Sequence, residues 1–104
     1  MAIEKLINLV KRELAITWDD IDTDADVEAL VSDAIPAMAF KLGIKDEDVD
    51  FTAEGQERRL FLKYCHYLYD DIGEEFDAAY MSELLQIRSK YEVKYGKEET
   101  AEDL

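Results

Sequence analysis

The fold class is decided by residues 57–69, which read Glu57-Arg58-Arg59-Leu60-Phe61-Leu62-Lys63-Tyr64-Cys65-His66-Tyr67-Leu68-Tyr69. Apolar residues recur here three or four positions apart, which places their side chains on one face of an α-helix. That face comprises Leu60, Phe61, Tyr64, Cys65, Leu68 and Ile72. Charged residues flank it, so the stretch predicts a helix packed in a core. The single cysteine, Cys65, is predicted to be a small buried hydrophobe.

Three further segments have helical periodicity, and the chain is predicted to be all-α, a small four-helix bundle with an extended C-terminal helix and a flexible tail. The first predicted helix runs from Ile3 to about Ala15, and the second begins at the capping signal Thr23-Asp24-Ala25-Asp26 and stops at Gly43. The third has Thr52 as its N-cap and runs to about Asp71, and the fourth runs from about Glu75 to Tyr95.

The last helix is predicted to carry one apolar stripe, which comprises Phe76, Tyr80, Leu84, Ile87 and Tyr91. Gly96 is the predicted stop of this helix. Residues 1–96 form the predicted helical domain, and residues 97–104 a flexible acidic tail.

The connection between the first two helices contains Thr17-Trp18-Asp19-Asp20, which has the pattern of a capping box. Ile16 and Ile21 flank it at the positions of a hydrophobic staple. This arrangement predicts a short turn that packs Trp18 against the core.

Pro36 lies inside the second predicted helix and removes the hydrogen bond to the carbonyl of Ser32. We expect a kink there, and a break at Ile35 is the alternative.

Charge is the second strong feature of the sequence. Twelve Lys and Arg stand against 26 Asp and Glu, for a formal net charge of −14. Residues 19–57 alone carry a net −11. This charge disfavours binding to nucleic-acid phosphates or anionic membranes through basic patches. The N-terminal residues lack the pattern of a signal peptide and no apolar run approaches the roughly 18 residues of a membrane span, so a cytoplasmic protein is expected.

An acidic loop is expected over residues 45–54, and part of it matches the calcium loop of an EF-hand. The matching carboxylates, at positions 1, 3, 5, 9 and 12, are Asp46, Asp48, Asp50, Glu54 and Glu57. The glycine required at position 6 is replaced by Phe51, and position 8 holds Ala53. A solvated acidic loop is therefore the favoured interpretation, and no metal or other cofactor is predicted.

Catalytic patterns are weak. Cys65 and His66 are sequence neighbours, so on a helix their side chains diverge by about 100° and cannot form a nucleophile and base pair. The chain has no glycine-rich phosphate loop, and one cysteine with one histidine cannot supply a zinc cluster. We expect a protein that is not an enzyme.

Together with Leu14-Ala15-Ile16-Thr17-Trp18-Asp19-Asp20 and Leu85-Gln86-Ile87-Arg88-Ser89-Lys90-Tyr91, the stretch at 57–69 resembles a known family. It is similar to the small all-helical head-tail connector (adaptor) proteins of long-tailed bacteriophages, over roughly residues 3–95. The resemblance rests on the pattern and order of these segments.

The resemblance implies a structural protein of the virion neck, assembled in the host cytoplasm. Such connectors form a dodecameric ring between the portal protein and the neck or stopper protein, and DNA passes through without specific binding. By this resemblance, residues 3–71 build the ring wall, while the region from about Arg88 to Leu104 docks on the portal. The predicted docking residues are Arg88, Tyr91, Val93 and Tyr95. Of these, Tyr91, Val93 and Tyr95 are expected to extend past the part of the last helix that the core covers.

Subunit contacts in such a ring join unlike surfaces of neighbouring copies. Three bases lie close together on the third helix, namely Arg58, Arg59 and Lys63. They are predicted to pair across the interface with acids of the turn that precedes the second helix, namely Asp19, Asp20, Asp22 and Asp24. The alternative is a set of ion pairs within one subunit.

Two other classes of function stay open. An acidic inhibitor or DNA mimic would use its carboxylates to occupy a basic DNA-binding site. A calcium-binding helical module would use the acidic loop. The connector accounts for more of the sequence, because the mimic explains only the charge.

Overall fold

The computed structural model describes residues 1–18 and 20–102, with side chains up to residue 97. All regular structure within these residues is helical, which confirms the all-α class and the four helices. The helices are α1 (Ile3–Glu13), α2 (Ile21–Leu42), α3 (Gln56–Tyr69) and α4 (Phe76–Glu102). Short 3₁₀ turns lie at Asp46–Asp48 and Gly73–Glu75.

Helices α2 and α3 form the centre of the bundle, because they pack against each other and each also packs against α1 and α4. The predicted apolar faces supply most of the core, and Cys65 is buried in it as expected. The predicted place of Ile72 on the buried face of the third helix is wrong, because Ile72 follows the end of α3 and is 37% exposed. The largest fully buried side chains are Phe51, Phe61, Phe76, Leu6, Met38, Leu42 and Leu60. Burial of these side chains is the main term that stabilises a domain of this size.

Three helices end in the same way. A residue with a left-handed backbone stands one or two positions after the last helical residue, with φ of 57° at Ala15, 71° at Gly43 and 62° at Asp71. The next residue is an isoleucine each time, and its N–H donates 2.9 Å back to a carbonyl five positions earlier. This is the Schellman arrangement, in which the residue after the turn also supplies an apolar contact. The predicted stop at Gly43 is confirmed.

The start of α2 differs from the prediction. The helix begins at Ile21 with Asp20 as N-cap, so Thr23 lies inside the first turn and its hydroxyl donates to Asp20 Oδ2 at 3.1 Å. The predicted capping box and staple are wrong, because Thr17 stands too early in the chain. Ile21 is 87% exposed and Trp18 is 51% exposed, so neither packs in the core.

The start of α3 also differs. Gly55, with φ of 147°, precedes the helix, and Thr52 is not its N-cap. The Thr52 N–H and hydroxyl instead donate to Asp50, and Thr52 lies four residues before the first residue of the helix. Between Asp50 and Thr52, Phe51 is fully buried and stacks on Phe61 with centroids 4.6 Å apart. The buried Phe51 side chain therefore anchors the acidic loop to the core at the position where an EF-hand needs glycine.

Two predicted interruptions are absent from the described helices. Helix α2 runs through Pro36 without a break, so the alternative break at Ile35 is wrong. Helix α4 continues past Gly96 to Glu102, and the predicted stop at Gly96 is wrong because this glycine does not have a positive φ. Instead α4 kinks at Tyr80, where φ is −119° and ψ is 19°. Flexibility of residues 97–104 stays a prediction, and Asp103 and Leu104 lie outside the described residues.

Candidate interaction surface

An apolar groove opens between the end of α2 and the first half of α4. Its walls are Phe40, which is 77% exposed, and the exposed side chains of Met81 and Leu85. The buried Leu84 lies at its base, and the groove encloses about 150 Å³. Exposed apolar residues are common singly, but a group lining one groove is typical of a binding surface. We call this surface the α2–α4 groove.

The α2–α4 groove has a polar rim. Lys41 Nζ donates to Asp77 Oδ1 at 2.7 Å and lies 5.4 Å from the centroid of the Tyr64 ring. Arg88 is exposed, and its aliphatic stem lies against Gly43, where a Cβ would come within 3.4 Å of Arg88 Cγ. Among the side chains that the structure describes, no carboxylate pairs with Arg88. The rim therefore presents one uncompensated positive charge.

Sequence reasoning missed this groove, although it contained a signal. Helix α4 buries the predicted stripe that includes Phe76, Leu84 and Ile87. Met81 and Leu85 form a second apolar row, four residues apart, next to that stripe. A helix whose apolar face is wider than its core contact has surface left for a partner.

The predicted interface bases have partners within the chain. Arg59 pairs with Glu83, and Lys63 Nζ lies 2.9 Å from Glu13 Oε1. The hydrogen bond that Lys63 donates to Glu13 raises the pKa of Lys63, so its ammonium stays charged. Arg58 donates to the carbonyl of Thr52 at 3.4 Å. These contacts match the alternative of intramolecular pairing, while an intersubunit role for the three bases stays a prediction.

The predicted interface acids divide into two groups. Asp24 pairs with Lys11 of α1, which fixes the start of α2 to its neighbour. Asp20 and Asp22 are exposed, beside the exposed Trp18 and Ile21. Asp19 lies outside the described residues.

The four predicted docking residues of α4 are not equally accessible. We expected Tyr91, Val93 and Tyr95 to extend beyond the core, but Tyr95 is buried and Tyr91 is half-buried. Val93 is 57% exposed, and Arg88 lies on the α2–α4 groove. The tyrosines are covered by α3 and the acidic loop, which lie alongside this part of α4, and the sequence did not indicate this.

The two tyrosines instead join α4 to the acidic loop and to α3. Tyr95 donates to Asp48 Oδ2 at 2.8 Å and accepts the N–H of Lys45 at 3.0 Å. Tyr91 donates to Glu57 Oε2 at 2.9 Å. Burial and the Glu57 hydrogen bond raise the pKa of Tyr91 to about 12, and burial likewise raises the pKa of Tyr95. Both hydroxyls therefore remain protonated donors at neutral pH.

The calcium-loop carboxylates do not converge. Asp48 and Glu57 accept hydrogen bonds from tyrosines, and the hydrogen bonds from Thr52 lower the pKa of Asp50. Among the side chains of residues 1–18 and 20–97, no three His, Cys, Asp or Glu residues are grouped so as to hold a metal ion. The geometry gives the calcium-binding alternative no support.

Cys65 has no reactive character in this fold. Its side chain is fully buried, and burial raises the pKa of the thiol to about 12. The nucleophile of a cysteine is its thiolate, which is not populated here near neutral pH.

A scan against protein-family models, a search of curated proteins and a search of solved structures each found no match. The resemblance to head-tail connectors therefore stays a prediction. No helix in the part of the chain that the structure describes is both long and apolar enough to cross a membrane.

Proposed function

We propose that this protein is a head-tail connector of a tailed bacteriophage or prophage, which forms a ring under the portal and lets DNA pass. The order of the three resembling segments supports the proposal, and so does the all-helical architecture. The partners are further copies of the chain, the portal protein, and the neck or stopper protein.

The α2–α4 groove is the observation that carries the proposal. A chain of 104 residues with a net charge of −14 is expected to be well solvated. It nevertheless exposes Phe40, Met81 and Leu85 along one groove. An apolar groove of this kind is typical of a protein that functions in an assembly.

The acidic surface suits a channel for DNA. Carboxylates repel phosphates, so counterion-release binding cannot hold the duplex in place. Residues 19–57 carry a net −11, which makes this part of the chain the best candidate for the lumen.

Electron microscopy of the purified protein, alone and mixed with portal, tests the proposal. Closed rings, on their own or on the portal, are the expected result. Monomers that bind a nuclease tightly and compete with DNA would identify the acidic mimic instead. Calcium titration in a calorimeter tests the calcium-binding alternative, which requires a measurable heat of binding.

Portal docking is proposed to depend on the exposed part of α4. Val93→Asp places a charge on the predicted docking face, and it should weaken portal binding. Ala79→Asp adds the same charge at an exposed position of α4 outside the predicted docking region, and it is the matched control. Unchanged portal binding by Val93→Asp would move the docking surface to another part of the chain.

A further inference from the structure

The turn before α2 presents a second exposed apolar feature. Trp18 and Ile21 lie on the surface beside Asp20 and Asp22, and we call these four residues the α2-entry knob. The knob has a defined geometry, because Trp18 Nε1 donates to the Thr23 hydroxyl at 3.4 Å and that hydroxyl donates to Asp20. Apolar side chains held in place on a surface lose little conformational entropy when they bind.

The knob cannot reach the α2–α4 groove of its own chain. Ile21 and Phe40 lie at opposite ends of the 22-residue helix α2, nineteen positions apart. A rise of about 1.5 Å per residue separates them by about 28 Å. Any contact between the knob and the groove must therefore join two molecules.

The two surfaces complement each other in chemistry. The groove is apolar with the positive charge of Arg88 on its rim. The knob is apolar with the negative charges of Asp20 and Asp22 beside it. Docking would cover Ile21 and Trp18 with Phe40, Met81 and Leu85, and it would give Arg88 carboxylate partners. Apolar anchors surrounded by complementary charges are the usual composition of a specific interface.

We propose that the α2-entry knob of one subunit docks in the α2–α4 groove of a second copy of this chain. This inference rests on the proposed connector function and assigns its subunit contact. The contact is heterologous, because it joins different patches of two identical subunits. Repetition of such a contact closes into a ring when the rotation between subunits allows it.

Two substitutions test the contact without disturbing the core. Ile21→Asp removes the knob, and an acid in the first turn of a helix suits the helix dipole. Leu85→Glu places a charge in the groove with a residue that favours helices. Gln86→Glu is the matched control, since Gln86 is an exposed residue of the same helix that neither lines the groove nor belongs to the predicted portal-docking region. Circular dichroism and thermal melting should show that all three variants stay folded.

Sedimentation velocity over a concentration series, followed by electron microscopy with portal, gives the readout. Wild type and Gln86→Glu should self-associate, while Ile21→Asp and Leu85→Glu should each associate roughly tenfold or more weakly, because each puts a charge where the contact buries an apolar side chain. An equimolar mixture of the two defective variants is the decisive sample. Each retains one intact surface, so the mixture should form heterodimers that grow no further.

The outcomes distinguish this inference from the proposed function. If Ile21→Asp and Leu85→Glu form the same rings as wild type, the knob and groove contact is wrong while the connector survives. If wild type associates through these surfaces but only into assemblies that do not bind portal, the connector is wrong and the contact stands. Wild type that stays monomeric with and without portal overturns both.

Discussion

Tyr95 uses both sides of its hydroxyl group to hold the acidic loop against the last helix. The group donates to Asp48 and accepts the N–H of Lys45, while the Lys45 ammonium lies 4.4 Å from the centroid of the same ring. The periodicity of the sequence placed Tyr91 on an apolar stripe, but it could not reveal that both tyrosine hydroxyls meet carboxylates from more than 30 residues away. Long-range polar pairing depends on the tertiary fold, which local patterns do not encode.

Replacing Tyr95 with phenylalanine should lower the free energy of unfolding by about 1 kcal/mol, because a partly buried N–H and a carboxylate both lose a partner. Urea denaturation measures this. Tyr69→Phe is the matched control, since Tyr69 is exposed and its hydroxyl makes no hydrogen bond within the described residues. Equal effects of the two substitutions would show that the Tyr95 hydroxyl contributes nothing to the loop.

Glu57 gives the fold a pH dependence. Partial burial opposes ionisation of Glu57, but hydrogen bonds from Lys90 and Tyr91 outweigh it and lower its pKa below the ordinary 4.5. Ionised Glu57 therefore contributes stability above about pH 4.5, and this contribution is lost as the pH falls through the folded-state pKa. The stability gap between wild type and Glu57→Gln should narrow on going from about pH 6 to about pH 3.

Chemical denaturation at each pH measures that gap, with the same substitution at the exposed Glu28 as the baseline. A gap for Glu57→Gln that stays constant relative to this baseline would show that the folded state does not favour the ionised carboxyl.

At the scale of elements, the helical faces could be predicted from the sequence, whereas most helix ends could not. Helical faces were predictable, because burial of an apolar stripe dominates the energy of each helix. The stop at Gly43 was predictable for a local reason, its left-handed backbone. The same motif at Ala15 and Asp71 was not, since neither is a glycine. The first residues of α2 and α3 were predicted wrongly, because several Thr and Asp residues near each start could serve as N-cap and these alternatives differ little in free energy.

Two alanine–glycine exchanges test the repeated helix-end motif. An alanine with a left-handed backbone destabilises the folded state by about 1–2 kcal/mol. Glycine removes this strain, but it makes the unfolded chain more flexible, which costs about 0.5–1 kcal/mol. Ala15→Gly should therefore stabilise the protein by about 0.5–1 kcal/mol, and Gly43→Ala should destabilise it by a similar amount. Thermal melting measures both.

Gly96→Ala is the matched control for these exchanges. Gly96 lies in α4 without a positive φ, and an added Cβ would meet nothing within 4 Å. Alanine there should raise stability by about 0.5–1 kcal/mol. Destabilisation by Gly96→Ala would contradict this and would indicate that the helix ends at Gly96, as the sequence predicted.

At the scale of the whole molecule, charge and apolar surface act in opposite directions on assembly. Each subunit carries −14, so copies repel one another at long range. The α2-entry knob and the α2–α4 groove attract at short range. The sequence predicted the repulsion from composition alone, but it did not reveal the groove, because Phe40 and Leu85 come from helices that only the tertiary fold brings together.

Self-association should therefore strengthen as salt rises. The screening length falls from roughly 30 Å at about 10 mM to roughly 8 Å at about 150 mM, which removes most of the long-range repulsion. Exposed pairs between Arg88 and the knob carboxylates contribute only about 0–1 kcal/mol each, so their screening costs little. The dissociation constant from sedimentation should fall over this range. Arg88→Gln removes the local attraction and should make the fall steeper. A dissociation constant that rises steadily with salt would mean that attraction between unlike charged faces, and not apolar contact, holds the subunits together.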